Sequence, residues 1–284
     1  MPGLALAVAA AFGLGGWTGA ALAAEPVTRA ADPARPLWIR TPAVSPDGSR
    51  IAFTYGGQIW LVPAAGGEAV PLTSAPHHSH HPVWSPDGAR IAFASQRHGN
   101  DDVFVMPIEG GAATRLTQHS AGDVPQAFSA DGKKVYFNST RLGAAGADAL
   151  DGVRGLLPFN PQLYEVPAEG GRERLLVPTP TLDVSLSADG TRMLYTNLPS
   201  IENEWRKHQI SDAARDIWML DLKTGTHRRL TDYRGEDRNA VFSPQQDAMF
   251  WLSERGGSFN VWRQALGGGA AQQVTFHKDH PARF

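Results

Sequence analysis

The chain has 284 residues, 42% apolar and 19% charged, with a net charge of -2 and no cysteine. That length holds one large domain or two small ones, and the near-neutral balance gives no electrostatic basis for binding nucleic acid or anionic lipid. The lack of cysteine excludes disulfides, thiol catalysis, thiolate metal ligation and a lipidated N-terminal cysteine.

In chain order, residues Leu4 to Ala24 are rich in Ala, Leu and Gly, carry no charge, and include the small-x-small run Ala21-Leu22-Ala23. They are expected to form a signal peptide over 1–24, placing the mature chain in the periplasm or outside the cell with no membrane insertion after cleavage. No Lys or Arg precedes Arg29, so the usual basic start of such a signal is missing, and a short membrane anchor is the alternative. Residues 25–36 read as a linker, and 37–284 as one repeating domain.

The repeat is marked by a turn written five times: Ser45-Pro46-Asp47-Gly48, Ser85-Pro86-Asp87-Gly88, Ser129-Ala130-Asp131-Gly132, Ser187-Ala188-Asp189-Gly190, and a degenerate Ser243-Pro244-Gln245-Gln246. Pro presets φ, Asp bonds its own backbone and Gly takes the left-handed position, so the motif is explained as a hairpin turn without invoking chemistry. Recurrence every 40 to 58 residues, with only strand-length apolar runs between, predicts an all-β fold, a β-propeller of four-stranded blades. The repeats fall at 37–73, 80–117, 124–177, 181–231 and 238–275, and 280–284 reads as the start of a sixth.

Within each repeat the strand after the turn is apolar on successive positions, as in Ile51-Ala52-Phe53 and Val135-Tyr136-Phe137, which suits a strand buried on both faces. The third strand carries one aromatic in every copy: Trp60, Phe104, Tyr164, Trp218 and Trp262. Its fixed position predicts packing between blades rather than a ligand platform. A second, glycine-rich turn leads to a short fourth strand ending near Leu-Thr, as in Leu72-Thr73 and Leu230-Thr231. Both short turns emerge on one face. The opposite face collects the connections of variable length, and function is expected there.

The candidate contact residues of that variable face are His80 and His81, His119 with Asp123, and Glu236, Asp237 and Arg238, all near the channel mouth. Glu202, Glu204, Trp205, Arg206 and Lys207, in the insertion between the second and third strands of the fourth repeat, complete the set. His77, His78, His80 and His81 form a weak candidate for a transition-metal site, set against solvated loop histidines because the spacing is not that of a helical ligand pair. No cofactor is expected. Motifs for nucleophile elbows, helical zinc sites and phosphate-binding loops are all lacking, so no catalytic residue is assigned.

Several segments resemble the N-terminal propeller of tricorn-like serine peptidases, related in its repeats to TolB. They are Pro36-Leu37-Trp38-Ile39-Arg40, Glu202 to His208, Gly235-Glu236-Asp237-Arg238-Asn239 and Ser253 to Trp262. The resemblance implies a six-bladed propeller followed by PDZ and catalytic domains. On that basis the five complete repeats plus the start of a sixth are an incomplete six-bladed type, cut before the catalytic Ser and His. Two functions follow as expectations. One is a non-catalytic module guiding or gating peptides toward a peptidase catalytic domain; the other is a stand-alone TolB-like periplasmic scaffold that binds an envelope protein. A hydrolase with a metal at the channel mouth is a third, resting on the histidines alone.

Overall fold

The computed structural model describes residues 39–141, 161–197, 214–278 and 282. Twenty strands form five antiparallel sheets of four. Blade 1 comprises β1 (Arg40–Val44), β2 (Arg50–Tyr55), β3 (Gln58–Pro63) and β4 (Val70–Pro71). Blade 2 comprises β5 (Ser79–Trp84), β6 (Arg90–Ser95), β7 (Asp102–Pro107) and β8 (Thr114–Arg115). Blade 3 has β9 (Asp123–Phe128), β10 (Lys134–Ser139), β11 (Gln162–Pro167) and β12 (Arg174–Val177). In blade 4 these are β13 (Thr181–Leu186), β14 (Arg192–Asn197), β15 (Ile217–Asp221) and β16 (His227–Arg229). Blade 5 ends the series with β17 (Asp237–Phe242), β18 (Ala248–Ser253), β19 (Asn260–Ala265) and β20 (Gln272–Gln273).

This corrects the expected six-bladed type. A blade requires four mutually bonded strands, and among the described residues five such sets form, one for each turn motif; the number six came from the resemblance, not from a sixth turn. Ala282 donates its N–H to the Phe259 carbonyl (2.9 Å), yet no sixth sheet is present among the described residues.

The turn between first and second strands is a closed clasp. Ser45 Oγ donates to Asp47 Oδ1 (2.6 Å) and accepts from the Arg50 N–H (2.9 Å), while Asp47 also accepts from the Ser49 N–H (3.0 Å). Gly48, at φ +72°, provides the left-handed residue that closes it. The same clasp joins Ser85 to Asp87, Ser129 to Asp131 and Ser187 to Asp189. In the fifth copy, degenerate in sequence, Ser243 reaches Asp247 instead (2.7 Å), and Gln246 takes the left-handed position at φ +61°.

First strands of successive blades lie side by side, so they are innermost. Consecutive blades share apolar clusters: Ile59 of blade 1 with Phe93 and Phe104 of blade 2, Val103 with Phe137 and Tyr164, Leu163 with Met193, and Ile217 with Trp251. The third-strand aromatics take part, as Phe104 stacks on Phe93 (5.9 Å) and Tyr164 on Phe137 (5.6 Å). Arginines just after the turn add clamps across blades, with Arg50 over Trp84, Arg90 over Phe128 and Arg192 over Phe242 at 5.5 to 5.7 Å. The Leu-Thr signal also has a mechanical role. Thr73, Thr117, Thr231 and Thr275 each accept, through Oγ1, the N–H that opens the core of the third strand (2.9 Å).

Candidate functional site: the variable loop face

Each crossing between blades is anchored by one backbone bond. Ser79, Asp123, Thr181 and Asp237, the first residues of their inner strands, donate to the carbonyls of Gly57, Asp101, Pro161 and Arg215 (2.8 to 3.0 Å). Two residues further on, three inner strands take a left-handed backbone without glycine, at His81 (φ 53°), Asp183 (φ 51°) and Asn239 (φ 54°), and Thr41 (φ 48°) does so in β1. Asn, Asp and His tolerate that region best, which accounts for three of the four choices. The pairing register shifts at the same places, so the inner strands bulge toward the mouth.

The histidine cluster occupies the first crossing. His80 Nε2 lies 2.9 Å from Asp101 Oδ1, and His80 Nδ1 lies 2.6 Å from His81 Nδ1. The bond from His80 holds Asp101 below the ordinary carboxylate range, while desolvation, then the adjacent His80, lowers His81 to about 4. The two Nδ1 atoms face each other at hydrogen-bond distance, one donating and the other accepting. His78 stacks at 5.0 Å from the His80 ring, and Gly57 makes room for it, since a Cβ there would come within 2.8 Å of His78 Cδ2. His77 contributes its carbonyl, which accepts from Gln58 Nε2 (2.8 Å). Among the described residues no group of three or more His, Cys, Asp or Glu is disposed to hold a metal ion.

Elsewhere on this face, His119 Nδ1 accepts from the Ala121 N–H (2.9 Å) and acts as a staple within its crossing. Asp123 and Asp237 are fully buried. Asp123 accepts from Arg141 Nη2, and Asp237 from Arg255 Nη2 (2.6 Å) and Trp251 Nε1 (3.0 Å). Burial pushes both carboxyls up, against the pull of the arginines. Glu236 pairs with Arg215 (3.3 Å), and Arg238 lies over the Phe259 ring (4.6 Å). Glu202, Glu204, Trp205, Arg206 and Lys207 lie outside the described residues.

Sequence reasoning missed the arginines. A Ser-x-Arg sequence closes the second strand three times, at Ser95-Gln96-Arg97, Ser139-Thr140-Arg141 and Ser253-Glu254-Arg255, and that repetition was the available signal. Arg141 lies across the Phe137 and Tyr164 rings (5.2 and 5.1 Å), and Arg255 across those of Trp251 and Trp262 (both 5.3 Å). In each, Nε donates to the motif's own serine Oγ (3.1 and 2.9 Å).

Stacked blades with one face locked by Ser-Asp clasps and the other built from variable crossings define a β-propeller. The chain belongs to the family of the tricorn protease N-terminal beta propeller domain, whose model matches residues 36–284. It is 32% identical over 93 residues to the Tol-Pal system protein TolB of Wolinella succinogenes, a stretch covering 32% of this chain and 19% of that one. The match thus spans about a fifth of that relative's length. Among solved structures, the putative TolB from Agrobacterium tumefaciens superposes with a TM-score of 0.64 at 20% identity, covering 83% of this chain and 80% of that one. The tricorn protease superposes with a TM-score of 0.65 at 19% identity over 87% of this chain and 23% of its own. At those identities the structural likeness shows the fold alone.

Proposed function

We propose that the chain is a non-catalytic, TolB-like propeller scaffold that binds a protein partner in the cell envelope through its variable face. The observation that carries this reading is the asymmetry between the two faces. Four Ser-Asp clasps of constant form and a fifth from Ser243 to Asp247 fix one, whereas bulged inner strands, polar left-handed residues and connections of differing length make up the other. The likeness to a Tol-Pal system protein and the apolar segment at 1–24 support a periplasmic setting.

A second reading, favoured by the family match, makes the chain a module that guides or gates peptides toward the catalytic domain of a tricorn-like serine peptidase. One pair of variants separates the two. Trp205→Ala and Arg206→Ala should reduce partner capture from envelope extract with no change in melting temperature. Intact capture, together with altered peptide cleavage in a preparation that contains the peptidase domain, would move the assignment to the second reading.

A further inference from the structure

Arg97 departs from the pattern of its two equivalents. Like Arg141 and Arg255 it lies across two neighbouring aromatic rings, with its guanidinium 5.5 Å from the centre of Phe93 and 5.0 Å from that of Phe104. In blades 3 and 5 the inner strand opens with Asp123 or Asp237, which neutralises the arginine. In blade 2 that position is Ser79, which is buried. Ser79 Oγ bonds to Ser95 Oγ (3.1 Å), and Ser95 Oγ also donates to the His78 carbonyl (3.1 Å). The serine that serves Nε in the other two blades is therefore engaged elsewhere.

Arg97 has lost both partners. Its Nε is enclosed and unbonded, its Nη atoms meet no acceptor among the described residues, and the side chain is half-buried. Asp101, the nearest acid in sequence on that connection, is tied to His80. Burial pulls the Arg97 guanidinium below its ordinary range, with no counter-charge beside it among the described residues.

We infer that Arg97, laid across the Phe93 and Phe104 rings at the variable face, is a recognition site for an acidic side chain of a protein partner, which supplies the carboxylate that Asp123 and Asp237 supply internally in blades 3 and 5. A planar guanidinium resting on two rings loses little freedom on pairing and can present its Nη edge to a carboxylate, the geometry in which Arg binds most selectively. The inference rests on the reading of this face as a docking surface for protein, and names the partner's chemistry.

The test follows the Arg97 Nε–H resonance of the full chain by NMR during titration with acetyl-Gly-Asp-Gly-amide, its Asn counterpart and sodium acetate. The expected result is a saturable shift with the Asp peptide, none with the Asn peptide, and weaker binding of acetate. Ser79→Asp restores the internal carboxylate and should weaken the Asp peptide by at least about tenfold while raising the melting temperature. Arg97→Lys, followed at the His98 backbone amide, should weaken it similarly without changing the melting temperature, which keeps the test decisive if Ser79→Asp folds poorly. No saturable shift, or equal response to the Asn peptide, overturns the inference. Acetate binding as tightly as the peptide overturns the protein partner in favour of a free anion. A protein captured by this face while the Asp peptide fails to bind refutes the Arg97 site and leaves the scaffold reading standing.

Discussion

Removing the Asp237 carboxylate tests the reading of the Asp–Arg pairs as structural. Asp237→Ala deletes the acceptor of Arg255 Nη2 at 2.6 Å and of Trp251 Nε1 at 3.0 Å, both around a fully buried position. Breaking a buried pair by removing one partner costs about 3–5 kcal/mol, since the other charge stays behind unpaired. An orphaned indole N–H adds about 1–3 kcal/mol where water cannot reach it. The Arg255 side chain is 21% exposed, and Ser253 Oγ still accepts its Nε, so partial solvation returns some of this. We expect a net loss of about 3–4 kcal/mol, which for a domain of this size lowers the melting temperature by about 6–16 °C. Asp237→Asn, which keeps an acceptor for Trp251 but not the charge, should fall between wild type and Asp237→Ala. Differential scanning calorimetry with urea titration reads both. A melting temperature within about 2 °C of wild type for Asp237→Ala would refute the structural reading and return Asp237 to the set of partner contacts.

Three further outcomes follow from the geometry. The Ser45 and Ser187 hydroxyls lead in lowering Asp47 and Asp189 from the ordinary 3.8 to about 2, so their stabilisation is present above about pH 4 and disappears as pH falls toward 2; Ser45→Ala with Ser187→Ala should flatten the acid branch of a melting-temperature profile, and an unchanged slope would speak against the clasps. Phe137→Ala empties a fully buried site in the cluster that Tyr164 of the same blade shares with Val103 and Val105 of blade 2, and should cost about 3–5 kcal/mol in urea denaturation, with a loss below 1 kcal/mol indicating that blades 2 and 3 do not pack as described. Gly48→Ala meets only the left-handed backbone penalty of about 1–2 kcal/mol, whereas Gly190→Ala also brings a Cβ to 2.8 Å from the Ala130 Cβ of the neighbouring blade, so Gly190→Ala should be the more destabilising; the reverse order in paired thermal melts would contradict the contact.

The turn was legible in the sequence because Ser, Asp and Gly encode their own local bonds, and the strands were legible because burial on both faces leaves apolar runs. The fifth clasp was legible only in part. Asp247 does the work of the Asp lost at Gln245, two residues out of register, and a motif aligned by position passes over it. The blade number was misjudged where family likeness outweighed the count of turns. Asp123 and Asp237, expected as partner contacts just ahead of the inner strands, instead open those strands fully buried, and their arginine partners lie 18 residues away in sequence. Local periodicity does not encode that pairing. The repeated Ser-x-Arg did, and reading it against the first residue of each inner strand would have exposed the Asp-to-Ser change at Ser79.

The central claim is that partners bind the variable face and not the clasp face. Photo-crosslinkers placed singly at His81, on the bulged inner strand, and at Gly110, in the glycine turn of the opposite face, test it most directly in intact cells. The account predicts a discrete protein adduct from the His81 position and none from Gly110. Adducts from Gly110 alone, or of equal yield from both, would contradict it.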